Sequence, residues 1–254
     1  MNKIYKELDQ IYCINLISRP DRYDNMKKFE LEEDIKINYY RPECDPSSGM
    51  IGCFKSHIAV ITQAYNAGYS QVLVLEDDII KTKSYDSINY NEIIQFIQTN
   101  KSWEIIQLSW FDLANPLFIR NSSSYKHLSQ FGSVLASSYI INRKGMERIL
   151  STHKKYLGII QIDEYYKIIF GSTMWNVSPI PFDQDRTIKN DNIWINKYID
   201  SILIWLHLKL NIVYNLSYYK YTNGWILTYL ILAIIVYLIF RKIIHPINNK
   251  IANL

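Results

Sequence analysis

Cysteine, glycine, proline and charge are all scarce in this 254-residue chain. Three cysteines do not make a disulfide framework, which excludes a small stapled scaffold. Eight glycines and seven prolines exclude collagen-like and Pro-rich chains. Charged residues reach only 20% and apolar residues 48%, which excludes intrinsic disorder. The opening MNKIYKELDQ lacks the apolar stretch of a signal peptide, so none is expected. After Asp200 acidic residues are missing altogether, while five basic ones follow. The net charge of +4 therefore belongs to the tail, and residues 1–200 carry 23 basic against 24 acidic groups. Phosphate backbones demand a basic footprint, so a net of −1 argues against a nucleic-acid partner.

The tail has apolar length instead. Residues 225–240 read WILTYLILAIIVYLIF, sixteen residues without a charge. As a helix they span about 24 Å, and about 30 Å with the next four residues, the thickness of a bilayer core. Arg241 and Lys242 suit the far interface, and Trp225 and Tyr229 the near one. A buried core helix is the competing reading, but such a helix normally keeps a polar stripe and this run is apolar all round. The expected organisation is a globular domain over 1–198, an amphipathic segment over 199–222, a transmembrane anchor over 223–244 and a short tail over 245–254. The segment over 199–222 either lies on the membrane or packs as the last element of the domain. A single C-terminal span places the globular domain on the cytosolic side, where three free thiols are at home.

Within residues 1–198 short apolar runs alternate with helical patterns. Strands are expected at 11–16, 37–43, 71–75, 103–110 and 133–141, and helices at 22–31, 53–67, 91–98 and 143–153. Asn142 reads as the cap of the last helix, and residues 159–170 are mixed. Such alternation predicts an α/β fold with a mostly parallel sheet.

The most informative pattern is QVLVL followed at once by Glu76, Asp77 and Asp78. Open α/β sheets bind ligands at the carboxyl ends of their strands. Alternate residues of an extended chain point the same way, so Glu76 and Asp78 share a face. Three adjacent carboxylates repel one another unless a cation sits among them. A hard divalent ion shared with phosphate oxygens does this, whereas a solvated acidic turn is the plainer alternative.

The triplet has company. Asn15-Leu16 precede Arg19-Pro20-Asp21-Arg22, then come Gly52-Cys53 and Ser56-His57, then LVLEDDI, YIINRKGMERIL and Ile162-Asp163. In that order these motifs resemble glycosyltransferase family 25, which includes lipooligosaccharide and procollagen galactosyltransferases. The resemblance covers roughly residues 10–195. It implies a GT-A-like fold, a nucleotide-sugar donor such as a UDP-hexose (galactose or glucose), Mn²⁺ or Mg²⁺ as cofactor, and inversion at the sugar carbon. It also implies a hydroxyl acceptor on a glycan, glycolipid or protein. By position, Glu76 and Asp78 take the metal, with Asp77 in support. Asn15, Leu16, Arg19 and Arg22 form the donor side, where guanidinium groups suit diphosphate oxygens. An ion pair of Arg22 with Asp21 or Asp24 on the helix surface competes with that role. Gly52, Ser56 and His57 line the nucleotide pocket, and Cys53 reads as packing. Asp163 is the expected base, brought to a sheet edge by the apolar stretch before it, with Glu164 and Asp183 in reserve. A helix-capping Asp163 is the alternative. The leading expectation is a membrane-anchored hexosyltransferase, against a degenerate domain that serves as a tethered binding or scaffold protein.

Overall fold

Val72, Leu73, Val74 and Leu75 are all fully buried in β3 (Gln71–Glu76). A strand apolar at every position needs cover on both faces, and the alternation of its side chains shows what supplies it. Leu73 and Leu75 join Ile11, Cys13, Ile106 and Ile140 in one core, and Val72 and Val74 join Tyr12, Ile14, Ile105, Tyr139 and Ile141 in the other. The first core is closed by α1 (Lys3–Lys6), α2 (Pro20–Glu33) and α4 (Tyr90–Thr99) through residues such as Met26, Phe29, Ile93 and Phe96. The second is closed by α3 (Gly49–Asn66), α5 (Arg143–Thr152) and α6 (Ile162–Phe170) through Phe54, Ile61, Met146, Ile149 and Tyr166. Each such side chain contributes roughly 1.5–3 kcal/mol by leaving water.

This computed structural model describes residues 3–110, 120–122, 124–130 and 132–185. All belong to the first of two units into which the chain divides, Met1–Ile193 and Trp194–Leu254. The expected amphipathic segment and transmembrane anchor lie outside the described residues. Among the described residues no helix is long and apolar enough to cross a membrane.

The remaining strands are β1 (Gln10–Ile14), β2 (Ile37–Tyr40), β4 (Ile79–Lys81), β5 (Ile105–Gln107), β6 (Arg120–Asn121), β7 (Leu128–Gln130), β8 (Ser138–Asn142), β9 (Met174–Val177) and β10 (Phe182–Gln184). The large sheet runs β2-β1-β3-β8-β5-β9-β7-β6, and β4 pairs with β10 in a small second sheet. The expectation of a mostly parallel sheet is corrected here: the sheet is mixed. The pairs β1–β2, β1–β3 and β5–β9 are parallel, whereas β8 runs antiparallel to both β3 and β5, and β7 antiparallel to both β9 and β6. Asn142 ends β8 and accepts the Gly145 backbone N–H at 3.0 Å, so α5 starts without a connecting loop at the opposite end of the sheet from Glu76.

Two local features aim the site. Pro20 opens α2, where its fixed φ and missing N–H are harmless, and puts Arg22 in the first turn beside the strand ends. Ser48 caps α3 by accepting the Ile51 N–H at 3.1 Å, which starts that helix earlier than the sequence pattern predicts. Cys53 and His57 then lie one turn apart and face the sheet together.

Candidate active site

Register assembles the first half of the site. Ile14 of β1 lies opposite Glu76 of β3, so the next residues, Asn15 and Asp77, emerge side by side. The buried Asn15 donates from Nδ2 to Asp77 Oδ2 at 2.7 Å, and Arg22 Nη1 donates to Asp77 Oδ1 at 2.9 Å. Arg41 Nε donates to Asn15 Oδ1 at 2.9 Å and stacks its guanidinium over Tyr23. Arg22 is therefore held inside, on Asp77, and not on the helix surface. It is buried and reaches Asp78 as well, at 3.6 Å. The bidentate partner of Asp21 is Arg19, at 2.9 and 3.1 Å. Leu16 is half-buried, and its carbonyl accepts the Arg19 N–H at 2.9 Å.

The second half gathers around Glu76. His57 Nε2 lies 3.1 Å from Glu76 Oε1, Cys53 Sγ lies 3.6 Å from the same oxygen, and Gln184 Nε2 donates to Oε2 at 3.2 Å. His57 is fully buried, and its Nδ1 is 2.9 Å from the Tyr139 hydroxyl, itself 2.9 Å from that of Tyr166. Gln184 arrives because β10 folds back antiparallel on β4, opposite Ile79, and Asp185 N–H is bonded to the Asp78 carbonyl at 2.6 Å.

The carboxylates are not equally satisfied. Both oxygens of Asp77 have partners, although burial still pushes its carboxyl up. Asp78 Oδ1 is buried with no hydrogen-bond partner among the described residues. Burial, and next the charge of Glu76, push the Asp78 carboxyl up to about 8. For Glu76 burial acts in the same sense, but His57, Cys53 and Gln184 outweigh it and hold the carboxyl below its ordinary range. Burial, with Glu76 and Asp163 nearby, pushes the Cys53 thiol well up.

Asp163 does not lie at a sheet edge. It occupies the first turn of α6, because the apolar residues before it form a turn and not a strand. Its carboxylate accepts the N–H of Glu164 at 2.9 Å and of Leu135 at 3.3 Å. Leu135 is held at φ 84°, in the left-handed region that a γ-branched side chain rarely adopts. Burial, and to a smaller extent Glu164 and Glu76, push the Asp163 carboxyl up, so it shares the electrostatic environment of Glu76 and Cys53. Glu164 points to solvent. Asp183 lies on β10 opposite Ile80, one residue from Gln184.

Gly52 has a steric reason to be glycine. A Cβ there would meet Asp45 Cβ at 2.9 Å. The Ser56 hydroxyl is buried and donates back to the Gly52 carbonyl at 2.8 Å, one helical turn away. Cys53 packs against the second core, and its sulfur also touches Glu76. Arg41, Leu135, Tyr139, Tyr166 and Gln184 escape the sequence reading. The i, i+4 spacing of Cys53 and His57 was the available signal; the others are joined only by tertiary contacts.

A mixed α/β sheet thus presents an acidic triplet at the end of a buried strand, beside a buried arginine. Residues 23–166, more than half the chain, match the family described as glycosyltransferase family 25 (LPS biosynthesis protein). The chain belongs to that family. A Bos taurus relative named probable inactive glycosyltransferase 25 family member 3 is 22% identical over 191 residues, 64% of this chain. The match covers 32% of that relative, so the chain spans about a third of its length. Among solved structures, A197 from STIV is 10% identical with a TM-score of 0.46, covering 69% of this chain and 85% of that one. A glycosyltransferase involved in glycosylation of the PBCV-1 major capsid is 10% identical with a TM-score of 0.37, covering 59% and 68%.

Proposed function

We propose that this family-25 domain transfers a hexose from a UDP-sugar to a hydroxyl of a glycan, glycolipid or protein, with inversion. The single observation that carries the reading is the unpartnered, buried Asp78 Oδ1 beside Glu76, at the strand end where Arg22 is also held. An unsatisfied carboxylate oxygen inside a cluster of acids suits a hard divalent ion, and oxygen donors fit Mn²⁺ or Mg²⁺. Glu76 and Asp78 would hold it, and it would supply charge to the departing diphosphate. Asp77 supports from behind, since Asn15 and Arg22 already occupy its oxygens.

The chain's own residues divide the remaining work. Arg22 fixes the acidic triplet and offers positive charge on the donor side, with Arg19 at the rim. Asp163 accepts the acceptor's proton. Two backbone N–H groups orient it, and burial raises its proton affinity, as a base operating near neutral pH requires. Residues 223–244 anchor the domain in a membrane, with the globular part on the cytosolic side. A chain truncated after Thr222 is expected to leave the membrane fraction under carbonate washing while the full chain stays.

The second reading is a catalytically silent domain that still binds its ligand, and the name of the bovine relative, which includes "probable inactive", favours considering it. A screen of UDP-sugars with Mn²⁺, scored by free UDP, separates the two. Release of UDP supports the transferase; metal-dependent UDP binding without turnover supports the silent domain.

A further inference from the structure

The donor-side reading uses Glu76 but leaves the thiol and imidazole beside it without a task. Cys53 Sγ, His57 Nε2 and a Glu76 oxygen all lie within 4.8 Å of one another. A tetrahedral ion with bonds of about 2.0–2.3 Å has donor–donor edges of roughly 3.3–3.8 Å. The 3.1 Å separation of His57 Nε2 from Glu76 Oε1, and the 3.6 Å from that oxygen to Cys53 Sγ, are close to such edges. We infer that Cys53, His57 and Glu76 form a three-donor site for a zinc-type divalent cation, with the fourth position left to water or a phosphate oxygen.

Three features of the chain support this. The donors are a thiol, an imidazole and a carboxylate, a set that selects Zn²⁺ or Co²⁺ over Mg²⁺. Two of them come from one face of α3, held at i and i+4 by a well-buried helix, and the third from a strand end, so the set is preorganised. Behind the imidazole, Nδ1 contacts the Tyr139 hydroxyl, which contacts Tyr166. A proton on Nδ1, donated to Tyr139, leaves the Nε2 lone pair facing Glu76 and Cys53. Such an outer partner is what orients a metal-binding histidine. On coordination the thiol proton leaves to solvent.

The inference goes beyond the donor-side reading and shares with it only the carboxylate of Glu76. Co²⁺ is titrated into the full chain in detergent, with its thiolate-to-cobalt charge-transfer band as the readout. The expected result is a saturable band that Zn²⁺ abolishes, that Cys53→Ser removes, and that Cys44→Ser leaves intact. Tyr139→Phe should weaken Zn²⁺ affinity by about 10–100-fold, the usual cost of losing an outer partner. No band in the parent chain, or a band that survives Cys53→Ser, overturns the site. Asp78→Asn separates the two readings: it should keep the cobalt band while losing Mn²⁺-dependent UDP binding. If instead the band fails and Mn²⁺-dependent UDP binding holds, only the zinc-type site falls.

Discussion

Asp77 and Asp78 are neighbours in sequence but belong to differently built regions. Around Asp77 every charge is answered: Asn15 at 2.7 Å, Arg22 at 2.9 Å, and Arg41 holding Asn15 in turn. Around Asp78, Glu76, Asp163 and Cys53, acidic groups outnumber the cations that face them among the described residues, where Asp78 Oδ1 also has no hydrogen-bond partner. The first region looks after itself in the free protein. In the second, burial and neighbouring carboxylates favour protons or a cation. The difference separates a residue that holds the strand end in place from those left for ligand chemistry, a distinction three consecutive acids in a sequence cannot make.

The largest effect is expected in the under-compensated region. Asp163→Asn keeps an acceptor for only one of the two backbone N–H groups that orient the side chain and removes the proton acceptor. Turnover should drop by roughly 10²–10⁴-fold with UDP and metal binding retained. Near-parental turnover, measured by UDP release, would eliminate Asp163 as base and turn attention to Asp183.

Next comes the self-sufficient region. Arg22→Met leaves the buried Asp77 without its cation, and breaking a buried pair from one side costs about 3–5 kcal/mol. Urea unfolding should show the loss as a lower midpoint. A change below about 1 kcal/mol would mean that Asn15 alone satisfies Asp77.

The two regions should also differ in pH response. The Asp78 carboxyl is pushed from 3.8 up to about 8, so the folded protein holds a proton there that the unfolded chain has lost. Its contribution to stability is full below pH 3.8 and is lost as pH rises toward about 8. In chelator-treated protein the melting temperature should therefore fall across that window, and Asp78→Asn should flatten the fall. An unchanged slope in the variant would show that Asp78 is not the group responsible. The smallest effect belongs to the rim: Arg19→Ala breaks its pair with the exposed Asp21 and should leave the melting temperature nearly unchanged. A larger loss on thermal melting would mean that Arg19 supports the strand ends as Arg22 does.

The parts of this architecture legible in the sequence are those fixed by local physics. β3 announces itself by four apolar residues, α5 by its Asn142 cap, and the acidic triplet by its place at a strand end. What escaped is non-local. β9 is four residues long, and β4 and β10 are three each, too short for a period to show. The antiparallel run of β8 depends on which way the chain enters the sheet, and alternation of strands and helices does not encode that. Arg22 read equally well as a surface residue until the fold carried it to Asp77. Asp163 followed an apolar stretch that suits a strand but forms a turn, and its Leu135 partner lies 28 residues away.

If the proposed function holds, Asp78 is the ligand-directed member of the triplet. The direct measurement is calorimetric titration of UDP with Mn²⁺ into the full chain and into Asp78→Asn, with folding checked by circular dichroism. Mn²⁺-dependent binding is expected in the parent chain, with a loss of about 10-fold or more in the variant, the worth of a charge-assisted contact of roughly 1.5–3 kcal/mol. Equal affinity in the two proteins would contradict it.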